Sequence, residues 1–211
     1  MRMRHRITTG VAGLAAAAMA ATTLAVSAQA AQTAAQGNRS LATVLAADSG
    51  FDRNWRDFDI VEAAVLAVLD AKPDSPVALL TKGRQRATAF VPTDAAFRRL
   101  VGQLTGRKPA NERATFRAVV NTFDIDTIET VLLYHVVAGR TLNANRVIAS
   151  EGRHLQTAAG IPLEVRVRNG NVILVDQDRD ARNARVVVPN INRGNKQIGH
   201  GIGQVLRPID L

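Results

Sequence analysis

Apolar residues recur along this chain at two periods, helical in the first half and alternating in the second. Phe97, Leu100, Val101 and Leu104 stand at i, i+3, i+4 and i+7, one face of a helix that Thr93 is placed to cap. Residues 60–69 are apolar nearly all round, which predicts a helix buried on most sides. Asp59 and Glu62 have the spacing of a capping box at its start, and Asp126 and Glu129 repeat that spacing ahead of 131–137. Ser40 can cap a short helix carrying Leu41, Val44 and Leu45, and Asn111 can open one through Phe116, Val119 and Val120. Ser75-Pro76 supplies a cap and a first-turn proline, with Gly83 as the stop. Residues 87–91 are short and apolar and run into Pro92, as a strand entering a turn does.

In the second half Val165 and Val167 fall on one face of a strand, and Glu164, Arg166 and Arg168 on the other. Asn169-Gly170 separates that run from 171–175. The pair favours a hairpin because a type I′ turn needs positive φ at both central residues. Residues 186–188 and 203–206 read as further strands. Helices first and strands later imply an α+β fold. Neither an internal repeat nor a low-complexity tract divides the chain, so residues 40–211 form one domain behind a small, polar lead-in at 31–39.

The first thirty residues change that picture. Arg2, Arg4 and Arg6 precede an uncharged, Ala-rich stretch over 7–26, and Ala28-Gln29-Ala30 is the small-x-small pattern of a signal peptidase site. Residues 1–30 therefore read as a signal peptide, with a mature chain that begins at Ala31 and carries no transmembrane span. The three arginines are the only Lys, Arg, Asp or Glu residues in the leader. Their loss lowers the formal excess of 27 basic over 18 acidic residues from +9 to +6. Cysteine is absent, which excludes disulfides, thiolate metal sites and lipidated-cysteine anchors. With 46% hydrophobic residues the domain has enough apolar material for a core without such staples.

Candidate chemistry is thin. The mature serines, Ser40, Ser49, Ser75 and Ser150, lie at caps or in loops, and no Gly-x-Ser-x-Gly elbow occurs. His135, His154 and His200 are widely separated, and nothing local proposes a shared catalytic site. Asp176-Gln177-Asp178-Arg179-Asp180 imitates the start of a calcium loop, yet Ala181 replaces the glycine and Val187 the closing glutamate. No phosphate-cradling glycine loop precedes a helix. Basic residues are scattered along the sequence and aromatics make up 4%, which leaves no stacking platform and no specific nucleic-acid reading. The sequence thus proposes no catalytic residue, no metal site and no cofactor.

Three segments, in order, carry a family resemblance. They are Ala89-Phe90-Val91-Pro92-Thr93-Asp94-Ala95-Ala96-Phe97, then Leu132-Leu133-Tyr134-His135-Val136-Val137, then His200-Gly201-Ile202-Gly203-Gln204-Val205-Leu206-Arg207-Pro208. Together they resemble the signatures of the fasciclin domain, and the chain is similar to secreted, single-domain members of bacterial type. Gly203 departs from the family's usual Asp. Gly199 and Gly201 flank His200 where apolar residues are common, so the last strand is expected to be irregular. Residues 49–57 look like an insertion and contain Trp55, read as an anchor for that loop.

The resemblance implies a wedge of N-terminal helices packed on a twisted C-terminal β-sandwich. It also implies a non-enzymatic adhesion module at the cell surface, in the wall or periplasm, or in the extracellular matrix. Its partners would be matrix or cell-envelope polymers, anionic ones being the first candidates for a basic domain. Pro92, Thr93, Tyr134, His135, His200 and Pro208 are the family-motif residues. Animal relatives use the Tyr-His segment for receptor binding, but here apolar neighbours bracket Tyr134 and His135, and the pair is read as structural. The alternative function is a secreted carrier or sensor with a small apolar ligand held between helices and sheet, lined from 60–69 and 97–104.

Overall fold

The computed structural model describes residues 36–48 and 50–209. The proposed leader, its cleavage point and most of the lead-in lie outside the described residues. Six α-helices and seven strands follow in order, with 3-10 turns at Ala46–Asp48 and Pro76–Thr81. Helix α1 (Leu41–Leu45) starts at Ser40, whose Oγ accepts the Thr43 N–H at 3.1 Å. Helices α2 (Asp59–Ala71), α3 (Asp94–Thr105), α4 (Glu112–Thr122) and α5 (Ile125–Tyr134) form a helical layer, with β1 (Ala87–Pro92) running into α3. Strand β2 (Val136–Ala138) and helix α6 (Ala144–Ile148) lead into β3 (His154–Gln156), β4 (Pro162–Arg168), β5 (Asn171–Val175), β6 (Ala184–Ile191) and β7 (Gln197–Ile202).

All seven strands belong to one sheet, in the order β2-β1-β7-β6-β5-β4-β3, with β1 parallel to β7 and the other pairs antiparallel. The sheet curls until its ends meet, where the Ala158 N–H donates to Val136 O at 2.7 Å. The expected α+β fold is found, with its sandwich formed by one continuous, nearly closed sheet. Two apolar cores result. Ile60, Val68, Leu100 and Val119 pack the helices against β1. Phe90, Leu163, Leu174, Ile202 and Leu206 fill the inside of the curled sheet.

The expected Asn169-Gly170 turn forms, with φ of 50° and 75°. The irregular last strand is present too, as register shifts where β6 meets β7. Both proposed capping boxes fail. Asp59 is the first helical residue of α2, after Phe58, and makes no cap. Asp124 caps α5, accepting the Thr127 N–H at 2.7 Å, while Asp126 and Glu129 both turn to Lys72. The helix expected over 131–137 stops at Tyr134. Val136 and Val137 pair instead with Ala89 and Thr88 of β1, a tertiary pairing that suits β-branched side chains. The final strand occupies Gln197–Ile202 rather than 203–206, because its register follows β1.

Candidate functional site

All six motif residues are buried: Pro92 and Thr93 where β1 enters α3, Tyr134 and His135 at the end of α5, His200 in β7 and Pro208 after it. Pro92 ends β1, and the Thr93 N–H donates to Ile202 O at 3.1 Å, tying the entry of α3 to the end of β7. Thr93 makes no side-chain cap. Its carbonyl accepts the Ala96 N–H at 2.8 Å. Tyr134 is fully buried, its hydroxyl donates to Pro162 O at 3.3 Å, and burial pushes its pKa up to about 12. His135 Nε2 accepts the Leu206 N–H at 2.9 Å, which leaves Nδ1 as the protonated nitrogen, 2.7 Å from Val131 O. Burial lowers the pKa of this ring to about 4.

His200 has the opposite tautomer, with Nε2–H toward Leu142 O at 2.8 Å and Nδ1 accepting the Asn190 N–H at 3.4 Å. Its ring stacks on Phe90 with centroids 5.8 Å apart, and burial lowers its pKa. Pro208 is buried, whereas His154 is exposed at the start of β3. Both ring nitrogens of both buried histidines are engaged by backbone, and neither histidine bonds a carboxylate among the described residues. Such rings are neutral, oriented and unavailable to a substrate.

The acidic turn after β5 is occupied from within. Asp178 pairs with Arg207 at 2.7 Å and also accepts the N–H groups of Asp180 and Ala181. Asp176 accepts the Arg207 N–H at 2.8 Å. These bonds fasten the C-terminal segment to the sheet.

A different acidic cluster forms where three helices begin. Asp59, Asp94 and Glu112 are the first residues of α2, α3 and α4, and all three are buried. The loop over 50–58 closes over them: Trp55 O accepts the Ala95 N–H at 2.9 Å and Asp57 O accepts the Asp94 N–H at 3.1 Å. Trp55 itself is half-buried, with the Arg98 guanidinium 4.5 Å over its ring. Burial, followed by contact with the Asp57 carboxyl, pushes Asp94 up to about 8. Burial and then the Asp57 charge push Asp59 to about 6, and burial raises Glu112. No sequence motif announced this cluster, since its members are scattered over 52–112. The one local signal was Asp52 and Asp57 inside the insertion, with Asp59 just after it.

The apolar cavity between helices and sheet measures about 30 Å³ and is lined by Phe97, Leu100, Val119, Ile128, Leu132 and His135, among others. That is room for about one water, against roughly 300 Å³ for the smaller ligand pockets. On the sheet's outer surface, register assembles what the sequence had scattered. Arg166 lies opposite Ile173, which lies opposite Arg185, and Arg168 lies opposite Asn171 on the same face. These arginines are exposed, as are Arg179 and Arg182 in the adjoining turn, and of the five only Arg166 has an acidic partner among the described residues, Glu164.

The family model for the Fasciclin domain matches residues 66–208. No curated protein matches the chain. Among solved structures, the chain is similar to a FAS1 domain pair from the insect cell adhesion molecule Fasciclin I, with a TM-score of 0.51 at 15% identity. The similarity covers 71% of this chain and 47% of the insect chain, so the chain spans about half the length of that structure.

Proposed function

This chain belongs to the fasciclin domain family, and from that premise we propose that it is an exported, non-enzymatic module that attaches to anionic polymers of a cell envelope or matrix. The outer face of β4–β6 is the attachment surface. One observation carries this reading: strand register brings Arg166, Arg168 and Arg185 onto a single exposed face, next to Arg179 and Arg182 in the neighbouring turn. Diffuse guanidinium charge of this kind attracts phosphate or carboxylate polymers without a shaped pocket. The Tyr-His segment is not the surface, because both side chains are internal and spent on backbone partners. Fasciclin domains are typically found outside the cell or on its surface, and no helix among the described residues is long and apolar enough to cross a membrane.

Binding to purified anionic wall polymers across a salt series tests the reading. Affinity should fall steeply between 0.1 M and 1 M salt, as the screening length shrinks from about 10 Å to about 3 Å. The double variant Arg166→Glu/Arg185→Glu should lose most of the affinity at 0.1 M while keeping its thermal midpoint. Binding that ignores both salt and the double variant would move the attachment site elsewhere. Turnover of an ester, glycoside or peptide, lost on mutating His154 or His200, would replace the reading with an enzymatic one.

A further inference from the structure

We propose that the carboxylates of Asp52, Asp57, Asp59, Asp94 and Glu112 hold a divalent cation, calcium, between the 50–58 loop and the starts of α2, α3 and α4. One oxygen from each of Asp57, Asp94 and Glu112 lies within 4.8 Å of the others, and so does one from each of Asp52, Asp57 and Asp59, with Asp57 common to both groups. Two oxygens bound to one calcium at 2.3–2.6 Å can be no more than about twice that distance apart, and these oxygens meet that limit.

A cluster of acids alone means little, since exposed acids gather without a ligand. Three of these five are buried, Asp57 is half-buried and Asp52 is exposed. Asp94 and Glu112 have 0% of their surface accessible and Asp59 has 5%. Asp94 Oδ1 accepts the Ile60 N–H at 3.0 Å and Glu112 Oε2 accepts the Asp52 N–H at 2.5 Å, so part of each group is satisfied by backbone. Asp57 Oδ1, Asp59 Oδ1, Asp94 Oδ2 and Glu112 Oε1 are buried with no hydrogen-bond partner among the described residues. A buried carboxylate oxygen facing other carboxylates is costly unless a proton or a cation sits among them.

The protein's own positive charge falls short. Three helix N-termini contribute about half a charge each, roughly 1.5 against five carboxyl groups, of which a proton on Asp94 neutralises one. Arginines are present in and around the loop, but Arg98 stacks on Trp55 and Arg113 sits 5.5 Å over Phe51. None forms an ion pair with the five acids among the described residues. The donor set also selects the ion. It offers only hard oxygen, with no histidine or cysteine, which disfavours zinc. Many carboxylates on a loop and three separate helices suit the large, irregular shell of calcium better than the strict octahedron of magnesium.

Trp55, the only tryptophan, lies in the loop between Asp52 and Asp57 and supplies the probe. The experiment titrates metal-stripped protein with terbium, exciting Trp55 and reading terbium emission, then adds calcium; thermal unfolding is measured in parallel with calcium, magnesium or chelator at constant ionic strength. Sensitised emission should appear and calcium should quench it by displacement. The thermal midpoint should rise by about 5 °C or more once calcium exceeds its Kd a hundredfold. Asp57→Asn and, separately, Glu112→Gln should abolish both responses while far-ultraviolet dichroism stays unchanged. Absence of emission together with a calcium-insensitive midpoint overturns the proposal. Responses that survive in both variants place the ion elsewhere and also overturn it, and a magnesium response equal to calcium's overturns the choice of ion.

Discussion

His135 is neutral in the folded chain because it is buried and its Nε2 is committed to the Leu206 N–H. The unfolded chain takes up a proton near the ordinary value of 6.5, but the folded chain does so only near 4. The stability this residue contributes is therefore complete above pH 6.5 and is lost as pH falls from 6.5 to 4, by about 3 kcal/mol in all. Asp94 and Asp59, raised to about 8 and about 6, act in the opposite sense and gain stability on acidification. The effect is thus read as a difference: the stability gap between the parent and His135→Asn should shrink from pH 7 to pH 4.5. Nitrogen NMR of the parent at pH 5.5 should still find a neutral, Nδ1-protonated ring. His200→Ala leaves Leu142 O and the Asn190 N–H without partners, which costs about 1–3 kcal/mol and lowers the thermal midpoint. Tyr134→Phe removes a single hydrogen bond and should cost about 0.5–1.5 kcal/mol. If calorimetry found both variants as stable as the parent while polymer binding vanished, these would be recognition residues.

Gly83 shows how elements are held together by a contact that local signals do not reveal. It reads as a helix stop, yet its φ is not left-handed. The constraint is space: a Cβ there would come within 1.9 Å of Asn38 O. Residues 36–39 run past this point, with the Gly37 N–H donating to Gly194 O at 2.9 Å and Gly37 O accepting the Lys196 N–H at 3.0 Å. Gly83→Ala should push that segment off. Hydrogen exchange should then speed up at the Gly37 and Lys196 amides while the α5 amides keep their protection; unchanged exchange at Gly37 would show that the segment adapts. The glycines of β7 follow the same logic, since a Cβ on Gly201 would meet Val188 at 2.9 Å and the Phe58 ring at 3.0 Å. A Gly-rich strand that looked weak in sequence is thus a strand crossed closely by its neighbours.

At the scale of the whole molecule, the proposed attachment requires the export that the leader predicts. N-terminal sequencing of protein from culture supernatant should find Ala31 first, and an intact Arg2–Arg6 leader on membrane-bound protein would contradict the export reading. Most of the fold was legible in the sequence because local physics decided it. Helical periodicity placed α2 and α3, Ser40 and Asn111 capped as expected, and positive φ at Asn169-Gly170 closed the β4–β5 hairpin. The three ordered signatures pointed to the family that the 66–208 match shows. Other features depended on contacts between residues far apart in the chain. Val136 and Val137 became strand because β1 offered them a partner, and β7 took its register from β1. The arginine face exists because antiparallel pairing sets Arg166 and Arg185 on either side of Ile173. The acidic cluster exists because α2, α3 and α4 begin at one place, which brings Asp59, Asp94 and Glu112 together across more than fifty residues. Periodicity and capping act over a few residues and can be read from order alone. Charge brought together by packing depends on the closed chain, and only the tertiary structure decides it.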